Sequence, residues 1–137
     1  MGGVLAIDLG SKKTGFAYAD PLRIIVRPLE TLRVNEEDEA LLAHVSELVN
    51  ERDVASILVG IPLRDGNRPS ARHSAVSRFV ERLQERFGDL EIKTHDERLS
   101  TKEAEAQLYE AGYRGKDAAR RKDSWAALVI LRDFLAL

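Results

Sequence analysis

Cysteine is absent from the 137 residues. Disulfide bonds and thiolate metal sites are therefore excluded, and the composition fits a reducing compartment such as the cytoplasm. No apolar run approaches the roughly 18 residues expected of a membrane span. The Met-Gly-Gly start leads directly into a strand-like run without a basic segment before it, so no signal peptide is expected. An excess of positive charge is also missing, because 21 Lys and Arg stand against 23 Asp and Glu. That balance argues against a coat-like, non-specific nucleic-acid binder. It leaves room for an enzyme whose acids gather at one site while its cations line the approach.

The distribution of charge is more informative than its sum. Lys12 and Lys13 are adjacent, and Arg64, Arg68 and Arg72 are close together. Arg114, Lys116, Arg120, Arg121 and Lys122 form a dense cluster, while the segment from Glu36 to Glu51 is mostly acidic. By itself a basic cluster of this kind is usually a solvated face.

The hydrophobic pattern predicts strands over Val4–Asp8, Thr14–Ala19, Ile24–Val34, Ser56–Gly60 and Leu90–Thr94, with Pro28 marking a break or a sheet edge in the third. Helices are expected over Glu37–Asn50, through Ala75, Val76, Phe79, Val80, Leu83 and Phe87, and from Ser100 to about Ala111. Ser100 and Glu103 have the spacing of a capping box. Tyr113 to Arg121 reads as a basic, glycine-containing connection. A final helix presents Ala126, Ala127, Ile130, Leu131, Phe134 and Leu135. Early strands followed by alternating helices and strands imply one α/β domain over residues 1–137, a mixed sheet flanked by helices.

Three acids stand where elements should converge. Asp8 ends a strand whose preceding residues, Val4-Leu5-Ala6-Ile7, are all apolar. A carboxylate there is unfavourable unless it is paired or binds a metal. Asp96 and Glu97 follow the last strand. Asp123 shares a helical stripe with Ala127, Ile130 and Phe134, which points it towards the sheet. Oxygen-only ligands of this kind suit magnesium or manganese and phosphodiester cleavage. Each acid also has a plain structural reading: Asp8 as a turn former, Asp123 as a first-turn helix acid, and Asp96-Glu97 as loop charge paired with Arg98. Spacing alone leaves these alternatives open.

Four co-linear motifs resemble the YqgF (RuvX) family. They are Asp8-Leu9-Gly10-Ser11-Lys12-Lys13-Thr14-Gly15, then Ile57-Leu58-Val59-Gly60-Ile61-Pro62-Leu63 followed by Asp65-Gly66. The third is Asp96-Glu97-Arg98-Leu99-Ser100-Thr101 with Ala104, and the last is Arg121-Lys122-Asp123-Ser124-Trp125-Ala126-Ala127 with Ile130-Leu131. The resemblance implies an RNase H-like fold with a five-stranded mixed sheet and helices on both faces. It also implies a nuclease with Asp8, Glu97 and Asp123 as catalytic acids and metal ligands for magnesium or manganese. The expected tasks are 5′-end processing of pre-16S rRNA in ribosome biogenesis or, alternatively, resolution of Holliday junctions in recombination and repair. The partner is then structured RNA or branched DNA. Lys12, Lys13, Arg114, Lys116, Arg120, Arg121 and Lys122 are the candidate nucleic-acid contacts. A symmetric junction resolvase would be a homodimer, whereas an rRNA trimmer could act as a monomer. Two departures stand out. Leu63-Arg64-Asp65-Gly66 is shorter than the family's usual wording, and the strand ending at Gly60 lacks an acid, so Glu97 would have to supply that position. A non-catalytic binding module would be favoured by loss of an acid, and none is lost. An actin-like phosphotransferase would need a second half that 137 residues cannot hold.

Overall fold

The alternation of Val4-Leu5-Ala6-Ile7 determines the layering of the molecule. Successive side chains of a strand point to opposite faces. In the computed structural model, which describes residues 2–62, 70–98 and 100–137, Leu5 and Ile7 enter one apolar cluster while Val4 and Ala6 enter another. The strand that carries them, β1 (Gly3–Asp8), lies at the centre of a five-stranded sheet. β2 (Gly15–Ala19) and β3 (Val26–Pro28) follow in an antiparallel meander on one side. β4 (Val54–Ile61) and β5 (Glu91–Asp96) run parallel to β1 on the other, giving the order β3-β2-β1-β4-β5.

Parallel neighbours need a crossover, and each one here is a helix. α1 (Glu39–Glu51) joins β3 to β4, and α2 (Ala71–Arg86) joins β4 to β5. Leu41, Leu42, Val45 and Leu48 of α1 and Val76, Phe79 and Leu83 of α2 pack with Leu5 and Ile7 on one face. The opposite face is covered by α4 (Gly115–Leu135) through Ala127, Leu128, Ile130 and Leu131. α3 (Ser100–Glu110) packs on α4. The expected mixed sheet with helices on both faces is present. No helix among the described residues is long and apolar enough to cross a membrane.

Three expectations need correction. The third strand is only Val26–Pro28, with a single further bridge between Thr14 and Leu32. Ile24 and Ile25 lie in the preceding turn and are exposed, with the Asp20 side chain accepting from the Ile25 amide at 2.7 Å and Arg23 at φ 59. Their β-branched character suits a strand, but the turn claims their backbone first. The supposed connection from Tyr113 to Arg121 is mostly helix, because α4 starts at Gly115. Ala, Lys and Arg are strong helix formers, and the segment lacked an apolar stripe only because its first turns project beyond the sheet. Finally, Ser100 is the first residue inside α3 and is buried, rather than standing before it as a cap. The loop around Asp65-Gly66, with Arg64 and Arg68, lies outside the described residues, as does Leu99.

α4 reaches the sheet over a surface of small residues: Ala6, Ala17, Ala19 and Ala127. The closest approach is at Gly15, where an added Cβ would stand 2.0 Å from the Asp123 carbonyl oxygen. Backbone cannot yield there as a flexible side chain would. Gly15→Ala should therefore destabilise by about 1–3 kcal/mol or more through overpacking. Gly88→Ala, where nothing lies within 4 Å, should be nearly neutral. Denaturant melts of the two variants check this, and equal stabilities would refute the close-packing account.

Candidate active site

Asp8 is the last residue of β1 and pairs across the antiparallel ladder with Gly15. The Gly15 contact that holds α4 against β2 thus also brings Asp123 to the end of β1. Asp123 belongs to the third turn of α4, so the reading of it as a first-turn acid is overturned; Asp117 takes that place. Glu97 arrives from the other side, just past β5, with its amide donating to the Ile61 carbonyl at 3.2 Å. β4 lies between β5 and β1, and the residue it presents is Gly60. A Cβ on Gly60 would stand 3.2 Å from Glu97 Oε2 and 2.6 Å from Ile130 Cδ1. Without one, the Glu97 carboxyl crosses β4 and meets Asp8. The missing acid at the end of β4 and the reach of Glu97 are two sides of one arrangement.

The two carboxyls are close enough to share a hydrogen bond. Burial pushes the Asp8 carboxyl well above its ordinary carboxylate value. Repulsion from Glu97, the shared hydrogen bond and repulsion from Asp123 act in the same direction, and the Arg72 guanidinium opposes them. Arg72 is anchored by donating to the Leu9 carbonyl at 2.9 Å and to Glu36 Oε2 at 2.7 Å. Asp123 Oδ2 is buried and has no hydrogen-bond partner. Among the described residues its counter-charge is the Lys13 amino group at 3.3 Å, an ion-pair distance without hydrogen-bond alignment. Asp96 behaves as the plain reading expected: it is exposed, accepts from the Arg98 amide at 2.9 Å and pairs loosely with the Arg98 side chain at 3.9 Å.

Among the described residues no three Asp, Glu or His side chains are gathered into a ready metal cluster. The donor chemistry nevertheless fits a hard divalent cation. It is oxygen-only, it contains a buried Asp8 carboxyl whose charged form is disfavoured, and it includes an orphaned carboxylate oxygen on Asp123.

The RuvX family model, described as Holliday junction resolvase, matches residues 2–137. The chain belongs to the RuvX family. Curated relatives carry a different name. A protein of Amoebophilus asiaticus named "Putative pre-16S rRNA nuclease" is 38% identical over 99% of this chain and 95% of its own length. One of the same name from Acetivibrio thermocellus is 36% identical over 96% of this chain and 94% of its own. Among solved structures, Thermus thermophilus RuvC in complex with a Holliday junction substrate superposes with a TM-score of 0.59 at 17% identity, covering 99% of this chain and 95% of that one. The Fowlpox virus resolvase in complex with Holliday junction DNA gives 0.58 at 8% identity, covering 98% and 97%. These likenesses establish the RNase H-like α/β fold.

The cations of this RuvX-family chain are less uniform than their clustering implied. Lys13 stands at Asp123, while Lys12 is exposed on the turn. Arg114 lies over the Tyr109 ring at 3.6 Å and donates to the Tyr109 and Tyr113 carbonyls, both at 2.8 Å. Lys116 is exposed, Lys122 is half-buried, and Arg120 pairs with Asp117 at 3.2 Å. Arg121 stacks over Tyr113 at 4.3 Å. Lys13, Arg120 and Arg121 line a cavity of about 650 Å³, together with Arg27, Arg33 and Trp125. Sequence reasoning missed Arg27 and Arg33, because they flank a proline-broken segment instead of forming a run. It also passed over Gly15, Gly60, Arg72 and Ser124. The two glycines lay inside quoted motifs, and their role follows only from what packs against them.

A pH dependence follows from the raised Asp8. The folded protein holds that proton more tightly than the unfolded chain does. The associated stability is full below the ordinary carboxylate range and declines as pH rises through the raised folded value. In chelator, Asp8→Asn should therefore melt above the parent at neutral pH, and the difference should shrink as pH falls towards the ordinary carboxylate range. Equal melting temperatures across the whole pH range would contradict it.

Proposed function

We propose that this chain is a metal-dependent nuclease, working as one domain over residues 1–137, that hydrolyses phosphodiester bonds in 5′-end processing of 16S rRNA precursors. The observation that carries the proposal is the meeting of Asp8 and Glu97 beside Asp123, in a chain whose curated relatives bear that name. A binding module without catalysis would have no use for a desolvated carboxyl pair, since leaving like charges together is unfavourable unless a cation offsets them.

Asp8, Glu97 and Asp123 would hold magnesium or manganese, which when bound supplies activation of water and stabilisation of the leaving oxygen. Asp8 would be the central ligand, fixed by its place at the end of β1 and its pairing opposite Gly15. Glu97 would ligate the metal or orient the attacking water from its position past the strand end. Asp123 would complete the set from α4, where the Lys13 amino group stands 3.3 Å from its Oδ2. Lys13, at the mouth of the site, would be placed to meet a substrate phosphate. Arg72 lends positive charge to the Asp8 side without entering the ligand set.

The family description favours a second substrate, four-way junction DNA. One experiment separates the readings: a 5′-extended 16S precursor fragment and a matched four-way junction are incubated with the chain at one metal and salt concentration. The precursor should be cut, cutting should stop in chelator, and Asp8→Asn should lower the rate by at least about 100-fold, the lower end of what a positioned acid–base group contributes. Full cleavage in chelator or near-normal cleavage by Asp8→Asn defeats the mechanism. Preferential cutting of the junction replaces the rRNA assignment.

A further inference from the structure

The cavity beside the carboxyl site has two walls. One is β3 with the segment after it, carrying Arg27 and Arg33; the other is the exposed side of α4, carrying Arg120, Arg121 and Trp125. Lys13 stands at the end nearest Asp123. The walls are tied together at their base. The Ser124 hydroxyl accepts from the Phe16 amide at 3.1 Å and shares a hydrogen bond with the Thr31 hydroxyl at 3.0 Å. Leu29 and Leu32 are held to β2 and its approach by backbone hydrogen bonds to Phe16 and Thr14. The groove is therefore built into the fold.

Its charge is not the average of the chain. Five lining side chains are cationic and one, Glu30, is acidic, in a protein with a net charge of −2. Arg27 and Arg33 are exposed and make no ion pair with an acid among the described residues. Repelling cations kept on facing walls call for an anion between them. The one indole of the chain lies among them, and its ring is held in place. Trp125 Nε1 donates to Gln107 Oε1 at 3.0 Å, and Tyr113 meets the ring edge-on at 6.2 Å between centroids. Flat aromatic and guanidinium surfaces next to a cationic track are the features by which single strands are bound: phosphates on the cations, bases on the flat faces. A volume of about 650 Å³ is of the size that encloses one drug-sized molecule. That matches one or two unpaired nucleotides and is too small for a duplex.

We propose that this groove seats a single-stranded segment of the substrate leading to the carboxyl site, with Arg27 and Arg33 on its phosphates and a base against Trp125. The proposal rests on the nuclease reading for its choice of ligand, but its primary readout is binding, with cleavage followed separately. The single tryptophan makes intrinsic fluorescence a probe of this groove alone. The chain in chelator is titrated with an unstructured RNA 12-mer and with the same sequence in a duplex, following both tryptophan emission and the anisotropy of a labelled strand. The single strand should quench Trp125 and bind tighter than the duplex. Arg27→Ala with Arg33→Ala should weaken single-strand binding by about tenfold or more. It should also flatten the slope of log K against log salt by about 1.4, two phosphates at about 0.7 each. Unchanged tryptophan emission at saturation, unchanged affinity and slope in the double variant, or a duplex bound as tightly as the single strand would each overturn it. A chain that binds as described yet cuts nothing with magnesium or manganese defeats the nuclease reading and leaves the groove standing. One that cuts, while its double variant binds and cuts like the parent, defeats the groove.

Discussion

A buried carboxyl held against a second one is the constraint around which this molecule is arranged. Asp8 sits where burial and the neighbouring Glu97 both favour its protonated form, and Asp123 adds to the pressure from a third element. Such a group would be removed from an ordinary core, because an apolar residue of similar size is more favourable there. Its retention at the end of the central strand means that the sheet order, the small residues under α4 and the glycine on β4 serve to bring charges together.

The arrangement depends on what two glycines leave out. At Gly15 the absence of a side chain lets the α4 backbone rest on β2, and at Gly60 it opens a passage across β4. Both are distance effects between elements remote in sequence. Asp8 and Asp123 are separated by most of the chain and become neighbours because α4 crosses back to the strand pair at the start. The fold therefore supplies the geometry, and the acids supply only the donors.

Much of this was legible in the sequence. The alternating faces of β1, the stripe of α1 and the alanines of α4 reported layers correctly, since burial acts on side-chain periodicity directly. That Asp8 ends the central strand and that Asp123 faces the sheet could be read from position, whereas the meeting of Asp8 with Glu97 depends on Gly60 and could not. Three other things were not legible. The first turns of α4 carried no apolar period because most of their residues are exposed. The β-branched Ile24 and Ile25 resembled a strand although a turn organises them. The partition of cations into those that line a cavity and those already engaged, such as Arg114 on Tyr109, depends on tertiary neighbours that no local pattern encodes.

β3 is a strand of three residues ending at Pro28, whose nitrogen has no hydrogen to donate. As the outermost strand beyond β2, it would otherwise offer a ladder edge on which another chain could grow. Brevity, the proline and the outward Arg27 together deny that template. The sheet thus ends here by its own chemistry and needs no covering element, which is why this margin of the molecule can stay open to solvent and to whatever enters from it.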